Sequence, residues 1–368
     1  MLKCLMSHLN PKSEIRNPMP PTHIFNPTPG WYSGDFHAHT NFSDGAYSPD
    51  ELVALASAEG LEFLSITDHN VVDAFEALAE SVSLPVIRGI EITLKIGHFN
   101  AFDVASWPDW LAEMLPGETW QQRVQDCQDS NRMMELCKAE GWLISINHPL
   151  LTPWEWRDAD TLLGHLDALE IWNDPTWPDN SWANPAAVDY WTRLLNAGYR
   201  ITAIGGTDYH YPTKQSDPHK PRLSLPRTYV YTENLSAAAI LDAVRQQRAI
   251  VSMGETKLAF AAEYGGAQHI VGADLGRASG MIEFRAKVEA NQPVFRVQLI
   301  KNGAVLAEER GEDGQAQIQW QSQIDPDEPA WFRCDVRDED DIFLALTNPF
   351  FSGPHLEPEQ RRFCDFLP

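Results

Sequence analysis

The stretch that decides the fold is GDFHAHTNFSDGAYSPDELVALASAEGLEFLSITDHN, residues 34–70. It opens on a short strand-like run, GDFHAH (34–39), and ends on another, LEFLSIT (61–67). Between them SPDELVALASAEG (48–60) starts on Ser-Pro-Asp and stops at Gly60, the start and stop signals of a capped helix. Strand, helix and strand in so short a span make a βα unit, whose strands lie parallel. Three histidines and an acid, His37, His39, Asp44 and His69, fall at or just after its two strands.

Working outward, the pattern repeats. VVDAFEALAES (71–81) reads as a helix, LPVIRGIEIT (84–93) as a strand, and HFNAFDV (98–104) as the next one. Residues 118–140 read as one long helix closed by Gly141, followed by the strand WLISINH (142–148). ALEIWN (168–173), a helix over 183–197, ITAIGGTD (201–208), a helix over 235–247 and AIVSM (249–253) complete the series. Neither a dinucleotide glycine fingerprint nor a GxxxxGK[ST] loop follows any strand. The expected fold is therefore α/β, a distorted (β/α)7 TIM-like barrel over residues 31–255, and not a doubly wound sheet. Beyond 256 the texture changes. MIEFRAKVEA (281–290), FRVQLIKNG (295–303), AQIQW (316–320) and WFRCDVRDED (331–340) alternate with period two, and Asn302-Gly303 is a hairpin signal. Residues 256–368 are expected to form a small antiparallel, β-sandwich-like accessory domain with a C-terminal tail, and the proline-rich residues 1–30 an extended lead-in.

The chain carries 28 basic and 52 acidic residues, a formal charge of -24. Such a surface repels a long polyanion, so a nucleic-acid polymer is not the expected partner. A small anion remains compatible, because bound metals reverse the field locally. Five scattered cysteines without a C-x-x-C pair read as reduced thiols. No run is long enough to span a bilayer, and no signal-peptide h-region is present. The expectation is a cytoplasmic protein without membrane contact; nothing in the sequence specifies an oligomer.

Chemistry is carried by where the ionisable residues recur. His37 and His39 close strand one, Asp44 follows in the loop, and His69 comes just after strand two. Glu91 lies at the end of strand three, His98 opens the fourth strand region, and His148 ends the fifth. Asp208 and His210 follow the seventh. All but His98 sit at strand C-termini, which converge on one face of a parallel barrel. Taken singly, each motif has a plainer reading: a lone His-x-His is most often surface or core. Gathered in one mouth, six imidazoles and three carboxylates require cations to offset desolvation and mutual repulsion. Mixed nitrogen and oxygen ligands suit Zn²⁺, Mn²⁺ or Fe²⁺.

These segments, GDFHAHTNFSDG, ITDHN, GIEIT, INHP and GGTDYH, resemble the polymerase-and-histidinol-phosphatase (PHP) superfamily. The SDG after HAHT, EIWN and PRTYVYTENLSAAAILDAVRQQRAIVS look like its carbaryl-hydrolase-like branch. The resemblance implies two or three divalent metal ions. His37, His39, Glu91 and Asp208 would hold one; Glu91 would bridge to a second held by His98 and His148; Asp44, His69 and His210 would hold a third.

A bridged metal pair brings the pKa of bound water from about 15.7 towards roughly 7, which makes hydroxide available at neutral pH. The expected function is a metal-dependent phosphoesterase acting on a small organic phosphate. Asp208, His69 and His210 are the catalytic candidates, with His69 or His210 protonating the leaving group if the third ion is absent. A carboxyl-ester, amide or carbamate hydrolase with the same centre is the alternative, and a metal-bound binding module without turnover is a third reading. The stretch YPTKQSDPHKPRLSLPR (211–227) nominates Lys214, Lys220, Arg222 and Arg227 as substrate-anion contacts, or equally as solvated charges. WNDPTWPDNSW (172–182) adds Asn173 and an apolar wall of Trp172, Trp177 and Trp182, or else packing under a loop.

Overall fold

The computed structural model describes residues 20–79, 81–126, 129–211 and 221–367. Strands β1 (Gly30–Asp35) and β2 (Phe63–Ile66) flank helix α1 (Pro49–Ala58). Ser48 caps α1 by accepting from the Glu51 amide, and its own amide donates to the Glu51 carboxylate at 2.9 Å, a closed capping box. There follow α2 (Ala74–Ala77), β3 (Val86–Leu94), β4 (Gly97–Phe102), α3 (Asp109–Met114), α4 (Ser130–Ala139) and β5 (Leu143–Ile146). Next come β6 (Ala168–Trp172), α5 (Asn180–Asn196), β7 (Thr202–Gly205), β8 (Arg227–Thr232), α6 (Ala237–Arg245) and β9 (Ala249–Ser252).

Two expected helices are shorter than their apolar patterns suggest. The first is a single turn, α2. The second is helical only from Ser130, where Asp129 supplies a fresh cap to the Arg132 amide. Upstream of it the Gln122 side chain accepts from the Glu118 amide, and Arg123 donates to the carbonyls of Gly117 and Asn70. These side-chain bonds compete with the helical ladder and hold the segment in turns.

The sheet is parallel-rich but does not close. β1, β2 and β3 pair in parallel, β4 is antiparallel to both β3 and β5, and β5, β6 and β7 are again parallel. The closed barrel expected from the sequence is thus replaced by an open path. Its cause is that the second edge of β1 is occupied by antiparallel β8, which leaves no ladder for β7. The sheet nonetheless curls. Just past the two strands, Asp208 N–H donates to His37 O at 2.8 Å and His39 N–H to Tyr209 O at 3.0 Å.

The C-terminal part adds β10 (Lys257–Tyr264), β11 (Ala267–Ile270), β12 (Gly280–Glu289), β13 (Phe295–Lys301), β14 (Ala304–Gly311) and β15 (Gln315–Ile324). It ends with β16 (Ala330–Arg337), β17 (Phe343–Thr347) and β18 (Phe350–Ser352). β13 and β14 form a hairpin around Asn302 and Gly303, whose φ of 50° and 84° are what a tight hairpin turn requires. β10, β11, β12 and β15 make a separate antiparallel sheet. Its Phe260 and Phe284 pack on Phe332 and Phe350 of the larger one, with the Phe284 and Phe332 rings 4.9 Å apart. β17 pairs with β9 and so carries the large sheet across residue 255. Asn348, just after β17, accepts from the Ala203 amide and donates to the carbonyls of Ala203 in β7 and Ala249 in β9.

Candidate metal centre

Glu91 is fully buried on β3 and lies at the middle of the cluster. Its Oε1 is 3.2 Å from His37 Nε2, 3.1 Å from His98 Nδ1 and 3.5 Å from His148 Nε2. Its Oε2 is 2.5 Å from His69 Nδ1 and 3.7 Å from His39 Nε2. Asp208 Oδ1 is 2.9 Å from His39 Nε2 and 3.2 Å from His37 Nε2. Asp44 Oδ1 is 3.2 Å from His210 Nε2 and 3.5 Å from His69 Nε2. All nine residues singled out in the sequence therefore meet at one end of the curled sheet.

Strand direction explains how. Six of the seven strands β1 to β7 end on this face, while antiparallel β4 begins there, so His98 arrives from a strand start. It stands opposite Thr93 in the β3–β4 hairpin. Two of the residues adopt left-handed backbone, His148 at φ 29° and Asp208 at φ 52°, a conformation that costs of order 1–3 kcal/mol outside glycine and concentrates at functional sites.

Several groups that the sequence did not single out position the nine. Glu170 on β6 places Oε1 2.9 Å from His37 Nδ1, and its Oε2 accepts the His148 N–H at 2.6 Å and the Asn173 amide at 3.1 Å. Asn147 Nδ2 donates to Glu91 Oε1 at 2.8 Å. Thr93 Oγ1 is 2.6 Å from His69 Nδ1, and Trp120 stacks on the His69 ring at 5.1 Å. Gly206 has to be glycine, since a Cβ there would lie 2.4 Å from both Glu170 Oε1 and His37 Cβ. Glu170 was in view within EIWN but carries no ligand spacing; Trp120 was hidden inside the expected helix.

Electrostatics fit a cation centre. Burial opposes ionisation of Glu91, yet His69, His98 and His37 hold its carboxyl well below the usual range. Burial, then His210 and His69, push His39 down to about 3, which keeps that imidazole neutral with a lone pair to offer. His37 Nε2, Glu91 Oε2 and Asp44 Oδ1 are buried and face only other members of the cluster, a donor set that fits a cation. Ligand atoms fall into three sets, each within 4.8 Å: His37, His39, Glu91 and Asp208; His39, Asp44, His69 and His210; and His69, Glu91 and His98. The last differs from the expected Glu91, His98 and His148, because His69 Nδ1 turns towards Glu91 and Thr93.

The expected anion contacts fare differently. Arg222 pairs with Glu59 at 3.2 Å, and it shares with Arg227 a cavity that contains none of the nine. Arg227 Nε donates to Ser224 O. Their carboxylate and carbonyl partners draw both away from the centre. Lys214 and Lys220 lie outside the described residues. Asn173 does border the metal cavity. Of the three tryptophans, only Trp177 does so: Trp172 is buried against Phe343, and Trp182 is exposed on α5.

Residues 35–148 match the family model for the PHP domain. Over that segment the chain is similar to the PHP domain. Over 62 residues the chain is 40% identical to a 5'-3' exoribonuclease of Haemophilus influenzae, covering 16% of this chain and 23% of that protein. A further match, 39% identical over 67 residues, is to an error-prone DNA polymerase of Symbiobacterium thermophilum, covering 17% of this chain and 6% of that one. The chain thus spans under a quarter of the length of the curated relatives it matches. Among solved structures it is similar to a two-domain protein of Bacteroides vulgatus containing a predicted PHP-like metal-dependent phosphoesterase. That likeness is 18% identical, covers 92% of this chain and 99% of that one, and has a TM-score of 0.47. Among the described residues no helix is long and apolar enough to cross a membrane.

Proposed function

We propose that the chain is a metal-dependent hydrolase and that its substrate is a small organic phosphate. The observation that carries the reading is Glu91, a buried carboxylate contacted by His37, His39, His69, His98 and His148. So many neutral or cationic donors around one anion leave oxygen and nitrogen lone pairs aimed into a shared space, which suits two or three Zn²⁺, Mn²⁺ or Fe²⁺ ions. When bound, such ions supply Lewis acidity and lower the pKa of water.

The protein's own part is positioning and proton transfer. Glu91 belongs to two of the three sets and touches His39 and His69 of the third, and so holds them in register. Glu170 fixes His37 by taking its Nδ1 proton as a hydrogen bond, which directs Nε2 at the centre. His210 borders the open cavity. Burial would lower its pKa, but Asp208 and then Asp44, 3.2 Å from its Nε2, carry it up to about 9; with the set around Asp44 free of metal, this proton, or that of His69, would serve the leaving group. Residues 31–255 would carry this chemistry, with 256–368 accessory to it.

The carboxyl-ester, amide or carbamate alternative is favoured by one observation: among the described residues no Lys or Arg lines the cavity. The carbaryl-hydrolase-like segments support it as well. The relatives named for nucleic-acid processing share only short stretches with this chain, and its charge of -24 favours a small substrate. Metal analysis of the purified protein, followed by assay of aryl phosphates, phosphodiesters and aryl esters with Mn²⁺, Zn²⁺ and Fe²⁺, tests the reading. At least two metal equivalents and turnover of phosphate esters are expected. A chain that holds its metals but turns over no ester of either kind is neither a phosphoesterase nor a carboxyl-esterase.

A further inference from the structure

The set formed by His39, Asp44, His69 and His210 is built differently from the two that contain Glu91. Glu91 lies within β3 and is fully buried, whereas Asp44 stands on the loop after β1 with its side chain 32% exposed. A carboxylate on a loop keeps a ligand's place only if the loop itself is held.

One side chain does most of the holding. Asp68, buried next to His69 in the chain, accepts the Thr40 N–H at 2.8 Å and the Ser43 hydroxyl at 2.6 Å on Oδ1, and the Thr40 hydroxyl at 2.6 Å on Oδ2. The turn so enclosed is tight: the Gly45 N–H donates to Thr40 O at 2.9 Å, and a Cβ on Gly45 would lie 2.3 Å from His39 O. Just beyond it, the Ala46 N–H donates to His210 O at 2.7 Å. Asp68 thus fastens the Asp44 loop to the end of β2, while the loop itself joins His39 to His210.

Trp120 arrives from the other side. Its Nε1 donates to Ser43 O at 3.2 Å, and its ring stacks on His69 with 5.1 Å between centroids. The segment that carries it is anchored separately, since Arg123 donates to Asn70 O at 2.9 Å and lies over the Trp107 ring at 4.2 Å. Ser43 is therefore gripped at its hydroxyl by Asp68 and at its carbonyl by Trp120, one residue ahead of Asp44. His69 is oriented to match. Its Nδ1 faces Thr93 Oγ1 at 2.6 Å and Glu91 Oε2 at 2.5 Å, both acceptors for its proton. A neutral imidazole has one N–H and one lone pair, so the lone pair falls on Nε2, 3.5 Å from Asp44 Oδ1.

We propose that Asp68 and Trp120 are positioning residues of the Asp44 set, which they assemble as a unit separable from the Glu91 sets. The inference rests on the metal reading of the cluster given above, and not on turnover or on the substrate.

Titration of the metal-stripped full chain with Mn²⁺ alone, and separately with Zn²⁺ alone, decides the matter, read by calorimetry and by the metal retained after gel filtration. Asp44→Ala identifies the sites concerned: it is expected to weaken one class of binding at least ten-fold and to leave the rest within three-fold. Trp120→Ala and Ser43→Ala, at partly exposed positions, are each expected to weaken that same class about ten-fold. Trp120→Phe keeps the stack and loses the N–H, and should fall between Trp120→Ala and the unaltered chain. Asp68→Ala removes three contacts at once and should weaken the class furthest. Classes that weaken together would make Asp68 and Trp120 general supports of the fold and overturn the proposal. So would an Asp44→Ala chain that keeps every ion, or Trp120→Ala and Ser43→Ala chains that bind as the unaltered one does. An unaltered chain that takes up neither ion overturns the metal reading itself, and the proposal with it.

Discussion

Glu170 and His37, separated by 133 positions in the chain, are joined by a 2.9 Å contact from Oε1 to Nδ1, both side chains being buried. The other carboxylate oxygen receives the backbone N–H of His148, so one acid orients two of the nine residues. Glu170→Gln keeps the shape but can present an amide N–H to His37 and reverse the tautomer; Glu170→Ala removes the support. Outer partners of this kind typically change metal affinity 10–100-fold. Competition against a chelator is expected to show at least a ten-fold loss in both variants, and unchanged affinity would reduce Glu170 to packing.

Bound ions should stabilise the fold. Ligand that binds the folded chain at a hundred times its Kd contributes about 2.7 kcal/mol. At roughly 2–4 °C per kcal/mol for chains of this order, stripping with chelator is expected to lower Tm by several degrees, and restoring metal to reverse the change. A melting curve indifferent to chelation would mean that the cluster holds no ion.

Asn147 tests the role of Glu91. Its amide donates to Glu91 Oε1 at 2.8 Å while its carbonyl oxygen accepts the Asn100 N–H. Asn147→Asp retains the second bond and turns the first into a carboxylate pair. The expected cost is about 1–3 kcal/mol in metal-free protein and less when metal is bound, read from chemical denaturation in both states. Equal costs in the two states would separate Glu91 from metal binding.

Arg222 offers the converse test. Because it pairs with Glu59 in a cavity apart from the nine residues, Arg222→Ala should leave kcat/KM for any ester substrate within two-fold. The pair is partly exposed and worth of order 0–1 kcal/mol, so Tm should barely move. A ten-fold fall in kcat/KM would restore it as a substrate contact.

How much of this was legible in the chain differs between fold and site. The strand periodicity and the recurrence of His, Asp and Glu at strand ends gave the sheet and the nine positions, because both are local patterns. Closure was not legible: it depends on β8 taking the edge of β1, a contact between residues 30–34 and 228–232 that no local pattern encodes. His98 was the one residue out of place in a parallel reading, and antiparallel β4 accounts for it. Arg222 and Arg227 misled because proximity to Asp208 and His210 in sequence does not fix where a long side chain finds its partner. Glu170 and Gly206 were illegible for a different reason. An acid that supports, or a glycine that merely leaves room, has no signature of its own.

Asn348 stitches the final part of the chain to the strand that leads into Asp208. Its side chain satisfies backbone groups on β7 and β9 at once, and β17 covers a border of β9 that would otherwise lie bare. A trimmed version ending near residue 255 would therefore expose a sticky strand margin and loosen the scaffold under the cluster of histidines and acids. Whoever seeks a minimal version of this protein should expect aggregation from that cut, and will do better to shorten the loops and keep the last third.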